Sequence, residues 1–265
     1  MKYQFSVLMS IYDKEKVENL KECLNSLKIQ TIEPNEIVVV VDGKVRDELI
    51  DVLNYYKVRV VKLPHHVGLG KALFKGVKSC KYDLIARMDC DDVALPNRFE
   101  LQLNEFKKNN DLVLVGGQIV EFNSEKIKKK RIVPTLEKDI IKFSKYRNPF
   151  NHMTVMFKKK NILNVGNYKP LDYFEDYYLW VRLLKKGYSV RNIDKVLVKA
   201  RSDYAHTKRR GSIQYIKYMY NFEKQIYSDG YINLFQFIFN IIIRFFMCII
   251  PNSLRGCFYT IFLRK

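Results

Sequence analysis

Three aspartates fall within four residues in the stretch YDLIARMDCDDVALPNRFE: Asp89, Asp91 and Asp92. Carboxylates that close repel unless something positive sits among them. Hard oxygen donors in this arrangement suit Mg²⁺ or Mn²⁺, which keeps some water ligands and commonly bridges to substrate phosphates. The cluster alone is equally compatible with helix capping, by Asp92 or by Asn97 beside Pro96. Further acids lie elsewhere: Asp42 in VVVVDGK, and the adjacent Glu175 and Asp176 in FEDYY. An acid at a strand end, a metal-type cluster and a later acid pair make a constellation rather than an accident. The acid pair has a second reading, as negative charge favouring a helix N-terminus.

These residues need a scaffold, and the surrounding pattern supplies one. FSVLMSIY, NEIVVVVDG, VRVVKLP and YDLIARMD are short apolar, largely β-branched runs that read as buried strands. Between them, VENLKECLNSLKIQ, DELIDVLNYY and GLGKALFKGVKSC read as helices, the first with Leu20, Cys23, Leu24 and Leu27 on one face. NRFELQLNEFKKN continues as helix and DLVLVGGQIVEF as a glycine-bent strand. The alternation predicts an α/β fold, a mostly parallel sheet with helices on both faces. Ligands bind such sheets outside the carboxyl ends of the strands, where Asp42 and Asp89 fall. NSEKIKKKRIVP reads as a polar, basic break and HMTVMFKKK as a further strand. FEDYYLWVRLLKKG reads as a helix with an acidic start, a basic end and Gly187 as C-cap.

The composition narrows the class of protein. Of 265 residues, 48% are hydrophobic, enough for a real core, and 47 basic against 28 acidic residues give a net charge of +19. Such a charge points to an anionic partner: nucleic acid, an acidic membrane face or phosphorylated ligands. Cys23, Cys80, Cys90, Cys248 and Cys257 are scattered, odd in number and without CxxC spacing, so a reducing, cytoplasmic setting fits better than a disulfide framework or a zinc site. The opening KYQFSVLMSIY reads as a core strand, since it lacks a small-residue cleavage site and runs into DKEK.

Taken in order, five pieces resemble family 2 glycosyltransferases with the GT-A fold, over roughly Phe5 to Ser202. The similarity is greatest to bacterial enzymes that build capsule, lipopolysaccharide and exopolysaccharide. SVLMSIYDKEK resembles the first strand and nucleotide-binding loop, with Ser10 and Tyr12. VVVVDGK resembles the second, where the common form is Asp-Asp-Gly-Ser. GLGKAL resembles the donor-side turn, with Gly68 and Lys71. ARMDCDD resembles the DxD motif, and HMTVMFKK with FEDYYLWVRLLKKG resembles the acceptor-side strand and catalytic-base helix. The resemblance implies an inverting enzyme, a Rossmann-like GT-A domain over residues 1–205, and a nucleotide-diphosphate sugar donor, usually a UDP-sugar. It implies Asp42 on the uracil or ribose, Asp89 on the ribose region, and a divalent cation, Mn or Mg, held by the Asp89-Cys90-Asp91 motif through Asp91 and Asp89. Lys71 and Arg87 would add charge near the phosphates. Asp176 would be the general base, with Glu175 its rival, and a saccharide hydroxyl the acceptor. His152 would touch acceptor or diphosphate, or simply start a strand. Arg209 and Arg210 would reach phosphates, or lie on a basic surface.

The last sixty residues, 206–265, differ in character. They carry nine Lys or Arg against two acids. INLFQFIFNIIIRFFMCII is nearly apolar, but Gln236, Asn240 and Arg244 recur every fourth residue. An arginine within a single span costs about 2.5–3.5 kcal/mol on insertion scales. The segment therefore reads as an amphipathic helix in a membrane interface, attached peripherally to the inner face of the cell membrane. Packing on its own domain or on a second copy is the alternative. Interfacial docking would make the acceptor lipid-linked. Two other classes fit the charge. A nucleic-acid-binding protein would use lysines and the eighteen tyrosines, but no recognition pattern accompanies them. A nucleotidyltransferase would need a glycine-rich phosphate loop after the first strand, and SIYDKEK has no glycine.

Overall fold

Strand β1 (Phe5–Ile11) sets the frame. Its alternation sends Phe5, Val7, Met9 and Ile11 to one apolar layer and Leu8 to the other. A computed structural model describes residues 3–123, 126–202 and 213–249. The chain continues through α1 (Val17–Lys28), β2 (Glu36–Val41), α2 (Asp47–Tyr55), β3 (Arg59–Lys62), α3 (Leu69–Ser79) and β4 (Leu84–Arg87). These four strands pair in parallel, in the order β3-β2-β1-β4. Leu20, Leu24 and Leu27 of α1 pack with Leu49 and Leu53 of α2 beneath one face, while Leu73 and Val77 of α3 cover the other.

Beyond β4 the sheet becomes mixed. The remaining elements are β5 (Val93–Ala94), α4 (Arg98–Lys108), β6 (Leu112–Asn123), β7 (Lys126–Arg131), α5 (Glu137–Phe143), β8 (Met156–Lys158), α6 (Lys159–Asn164), α7 (Glu175–Lys185) and β9 (Ser189–Arg201). The order runs on as β4-β8-β6-β9-β5, with β7 on β6. β8 lies antiparallel to both β4 and β6, and β6 runs parallel to β9. The fold class is the expected α/β sheet, its parallel character concentrated in the first half.

Two local expectations change. The basic stretch taken as a break forms β7, antiparallel to β6. It borders the sheet, where lysines are the usual guard against further strand pairing. The segment from His152 to Lys160 holds only a three-residue strand. A 3₁₀ turn, His152–Thr154, precedes it and α6 follows.

Two C-terminal helices, α8 (Ile213–Ser228) and α9 (Leu234–Ile249), add a third core. Phe174, Tyr177, Tyr178 and Val181 of the α7 region pack on Met219, Phe222 and Ile226 of α8. Phe222 stacks on Phe174 at 4.8 Å between ring centroids. The expected boundary near residue 205 lies outside the described residues, as do Arg209 and Arg210. Phe222 carries much of the α7–α8 contact, so Phe222→Ala should cost about 3–5 kcal/mol. Urea unfolding followed by tyrosine and tryptophan fluorescence measures this.

Candidate active site

Parallel strands end on one edge, and the candidate residues gather there. Asp42 follows β2, and its amide donates to Ile11 O at 2.9 Å. Its carboxylate accepts from Val67 N at 2.8 Å and Gly68 N at 2.9 Å, and pairs with His66 Nδ1 at 2.9 Å. Asp42 thus ties the loop before α3 to the end of β2. The Tyr12 ring stacks on His66 at 6.0 Å. Gly43 makes this approach possible: its φ is +86°, and a Cβ there would lie 2.7 Å from His66 N. Gly68, at φ +89°, opens α3. Ser10 is half-buried near the end of β1, and Lys71 is exposed on α3.

Arg87 is the positive charge among the aspartates. It ends β4, is 2% exposed, and its guanidinium pairs with Asp89. Burial opposes its charge, but Asp89 outweighs burial and holds the proton more firmly than usual. Its Nε and Nη1 are buried without a hydrogen-bond partner. From beneath, the fully buried Arg98 donates to Arg87 O at 2.6 Å and to Met88 Sδ at 2.9 Å. Burial, then the charge of Arg87, lowers the Arg98 pKa to about 9.

The aspartates divide their work. Asp92 is buried and accepts from Arg201 N at 2.7 Å, while its other oxygen has no partner. Capping is not its role, because the β5–β9 pairing draws it toward β9. Asn97 sits at the N-cap of α4 without a side-chain capping bond. Asp91 has its pKa raised to about 6, by burial first and then by Asp89. A residue the sequence reading passed over joins it: Glu15, raised to about 7 by burial and then by Asp91. Its only signal was an acid three residues after Tyr12. Among the described residues no three His, Cys, Asp or Glu side chains are placed to enclose an ion by themselves. Asp91 and Asp89 are hard oxygen donors of the kind a dication takes, with Glu15 in the field of Asp91. Such an ion completes its shell with water and phosphate oxygens, and it would relieve the crowding that raises Asp91.

The acid pair reaches the same place from α7. A Cβ on Gly70 would lie 3.1 Å from Glu175 Cβ, so the glycine turn of α3 abuts the α7 N-terminus. Asp176 is 9% exposed and accepts from Asn148 Nδ2 at 2.7 Å and Tyr177 N at 2.6 Å. Burial raises its pKa, and these two bonds offset part of that rise. Glu175 is raised to about 8, by burial and then by Asp176. His152 Nε2 lies 2.8 Å from Tyr168 Oη, and burial followed by Arg87 keeps the imidazole neutral. Arg87 acts electrostatically on Asp91, Asp92, His152, Tyr168, Glu175 and Asp176, which marks them as one neighbourhood. Asn148, Tyr168 and Glu15 were absent from the sequence reading.

A family model described as Glycosyl transferase family 2 matches residues 6–164. An uncharacterized glycosyltransferase of Haemophilus influenzae is 41% identical, covering 99% of this chain and all of its own length. The Escherichia coli UDP-Gal:alpha-D-GlcNAc-diphosphoundecaprenol beta-1,3-galactosyltransferase is 39% identical over 99% of this chain and 97% of that protein. The amylovoran biosynthesis glycosyltransferase AmsE of Erwinia amylovora is 39% identical, over 86% and 88%. Among solved structures, S. aureus TarS 1-349 aligns with TM-score 0.67 at 17% identity, over 98% of this chain and 75% of that one. That likeness is one of fold.

The state of Glu175 gives a pH signature. Its pKa rises from 4.5 to about 8 on folding, so between those values the folded protein binds more protons than the unfolded chain. This contribution to stability is present below pH 4.5 and is lost as pH rises toward 8. Glu175→Gln should flatten the fall in urea midpoint between pH 5 and 8; an unchanged slope would contradict the assignment.

Proposed function

Because the chain belongs to glycosyl transferase family 2, we propose that it moves a sugar, with inversion, from a nucleotide-diphosphate donor to a hydroxyl of a saccharide acceptor in bacterial surface polysaccharide synthesis. The observation that supports this most is the gathering of Asp91, Glu175 and Asp176 around the buried Arg87 at the carboxyl edge of the parallel strands.

The donor nucleotide lies along Ser10, Tyr12, Asp42 and Gly68, a UDP group by analogy with the galactosyltransferase that is 39% identical. Asp89 reaches the ribose region while its carboxylate stays on Arg87. Lys71 and Arg87 bring positive charge toward the diphosphate. A divalent cation, Mn or Mg, would be held by Asp91 with Asp89 and would supply charge against the departing diphosphate.

Asp176 is the base. Burial makes its carboxylate more basic than an exposed one, while Asn148 and Tyr177 N keep it oriented. It accepts the acceptor proton as that oxygen forms a bond to the anomeric carbon. The bond from that carbon to the diphosphate oxygen breaks on the opposite face, and its electron pair leaves with the nucleotide. Inversion follows, and no carboxylate nucleophile is needed. Glu175, protonated near neutral pH by its raised pKa, is the weaker candidate for the base. His152, neutral and bonded to Tyr168, lines the acceptor side.

The acceptor is lipid-linked in this reading, and the enzyme sits peripherally on the inner face of the membrane. No helix among the described residues is long and apolar enough to cross a membrane. Helix α9 instead turns Leu234, Phe235, Ile238, Phe239, Ile242, Ile243 and Phe245 outward, each 39–75% exposed. That row suits the headgroup boundary of a bilayer.

Two tests follow. Thermal shift with UDP-sugars, with and without Mn²⁺, should lose its cation-dependent part in Asp91→Ala. Asp176→Asn should keep donor binding and lower transfer by about 10²-fold or more; transfer at the parental rate rejects the base. Separately, Phe235→Glu with Phe239→Glu should reduce co-flotation with anionic vesicles, and undiminished flotation would remove the membrane reading.

A further inference from the structure

The polar stripe of α9 faces the protein, not water. Asn240 Nδ2 donates to Lys145 O and to Glu223 Oε2, each at 2.9 Å. Arg244 donates to Tyr146 O at 2.9 Å and pairs with Glu223 Oε1 at 3.0 Å. Gln236 reaches Tyr146 Oη at 3.4 Å. One residue earlier in the chain, Ser144 O accepts from Tyr177 Oη at 2.8 Å. Three successive carbonyls after α5 are thus held by Tyr177, Asn240 and Arg244. Two residues beyond the last of them stands Asn148, the donor to Asp176 Oδ2.

Arg244 also meets the start of α7. Its guanidinium lies 5.8 Å from the ring centre of Phe174 and 6.0 Å from that of Tyr177, the residues that bracket the acid pair. Glu223 is 0% exposed, so an ion pair has been buried to hold this arrangement. A buried pair adds little net stability against an apolar replacement, and geometric specificity is its best-attested use.

We propose that Asn148 is a positioning residue for the Asp176 carboxylate, and that Glu223, Asn240 and Arg244 form a clamp that fixes Asn148. The proposal rests on the reading of Asp176 as base for its catalytic meaning, but not for its geometry. The charged and titratable groups around Asp176 are Glu175 on its own helix, Arg87 on β4, Arg131 on β7 and Tyr168 before α7. Asn148 Nδ2 donates to Oδ2 of the carboxylate and Tyr177 N to Oδ1. The Asn148 N–H favours the ionised form, so its loss should push Asp176 to a higher pKa.

The test uses the full chain labelled with ¹³C at aspartate carboxyls, the Asp176 signal being the one missing in Asp176→Asn. In Asn148→Ala the Asp176 titration should move up by roughly one unit, as loss of one charge-assisted bond predicts. In Asn148→Asp it should move further. The double variant Glu223→Leu with Arg244→Leu, which leaves no buried charge unpaired, should move it in the same direction. The acidic limb of kcat should shift upward with it, with kcat roughly tenfold lower and donor KM unchanged. An unmoved Asp176 titration in Asn148→Ala overturns the positioning role. An unmoved titration in a folded double variant overturns the clamp. Full transfer by Asp176→Asn with a shifted titration would instead reject the base and keep the positioning.

Discussion

One buried cation makes the site possible. Asp89, Asp91 and Asp92 crowd one another, Glu175 and Asp176 form a second buried acid pair, and like charges this close need compensation. Arg87 provides it from the end of β4, in contact with Asp89 and in the field of the others. Burying a guanidinium with two unbonded nitrogens is costly, and the fold accepts that cost by fastening the residue at both ends. Val155 O receives its amide and Arg98 takes its carbonyl. Loss of this cation would remove the charge common to both groups, and the acids would protonate more readily or separate. The proposed base and the proposed metal ligand therefore share Arg87 as electrostatic support, with Arg201 adding to it at Asp91 and Arg131 at Asp176.

That support explains why the site needs the mixed half of the sheet. The parallel strands deliver Asp42 and Arg87 to one edge, as strand order alone requires. The carboxyls of α7 come from far along the chain, and β8 brings them near by pairing with β4. β9 then closes the aspartate cluster, where Arg201 binds both Asp91 O and Asp92. Each tie is a backbone-to-side-chain bond across about a hundred residues, so the cluster is shaped by the sheet rather than by its local turn.

Local pattern carried the fold's first half. β-branched runs and the single apolar face of α1 need no distant partner to be read, and strand-end aspartates follow from chain order. The features that escaped are those whose meaning lies across the chain. Asn148 looks like an ordinary loop residue until its amide is seen on Asp176, 28 positions away. Glu15 sits in a charged turn whose fold toward Asp91 no periodicity encodes. The stretch before Pro134 carries five lysines or arginines in six residues, Lys126–Arg131, and charge of that density reads as a loop unless an edge strand is expected. The eighteen tyrosines that could have signalled base stacking include Tyr177 and Tyr178, buried between helices.

The tail shows what a periodicity cannot decide. Gln236, Asn240 and Arg244 define one face of a helix, but spacing does not say whether that face meets water or protein. The answer lay in the carbonyls left open at the end of α5 and in Glu223, the buried carboxylate that pairs with Arg244. Once the polar stripe turns inward to these partners, the apolar residues must turn outward. Full burial of each such side chain is worth roughly 1.5–3 kcal/mol, and these, 39–75% exposed, forgo about half of it. Seven such residues along one helix make an orientation that water alone would not favour. A bilayer boundary removes the penalty, because it takes the apolar row while the inward bonds stay intact. In the proposed reading the helix that meets the lipid is therefore the one that holds Asn148 against the base.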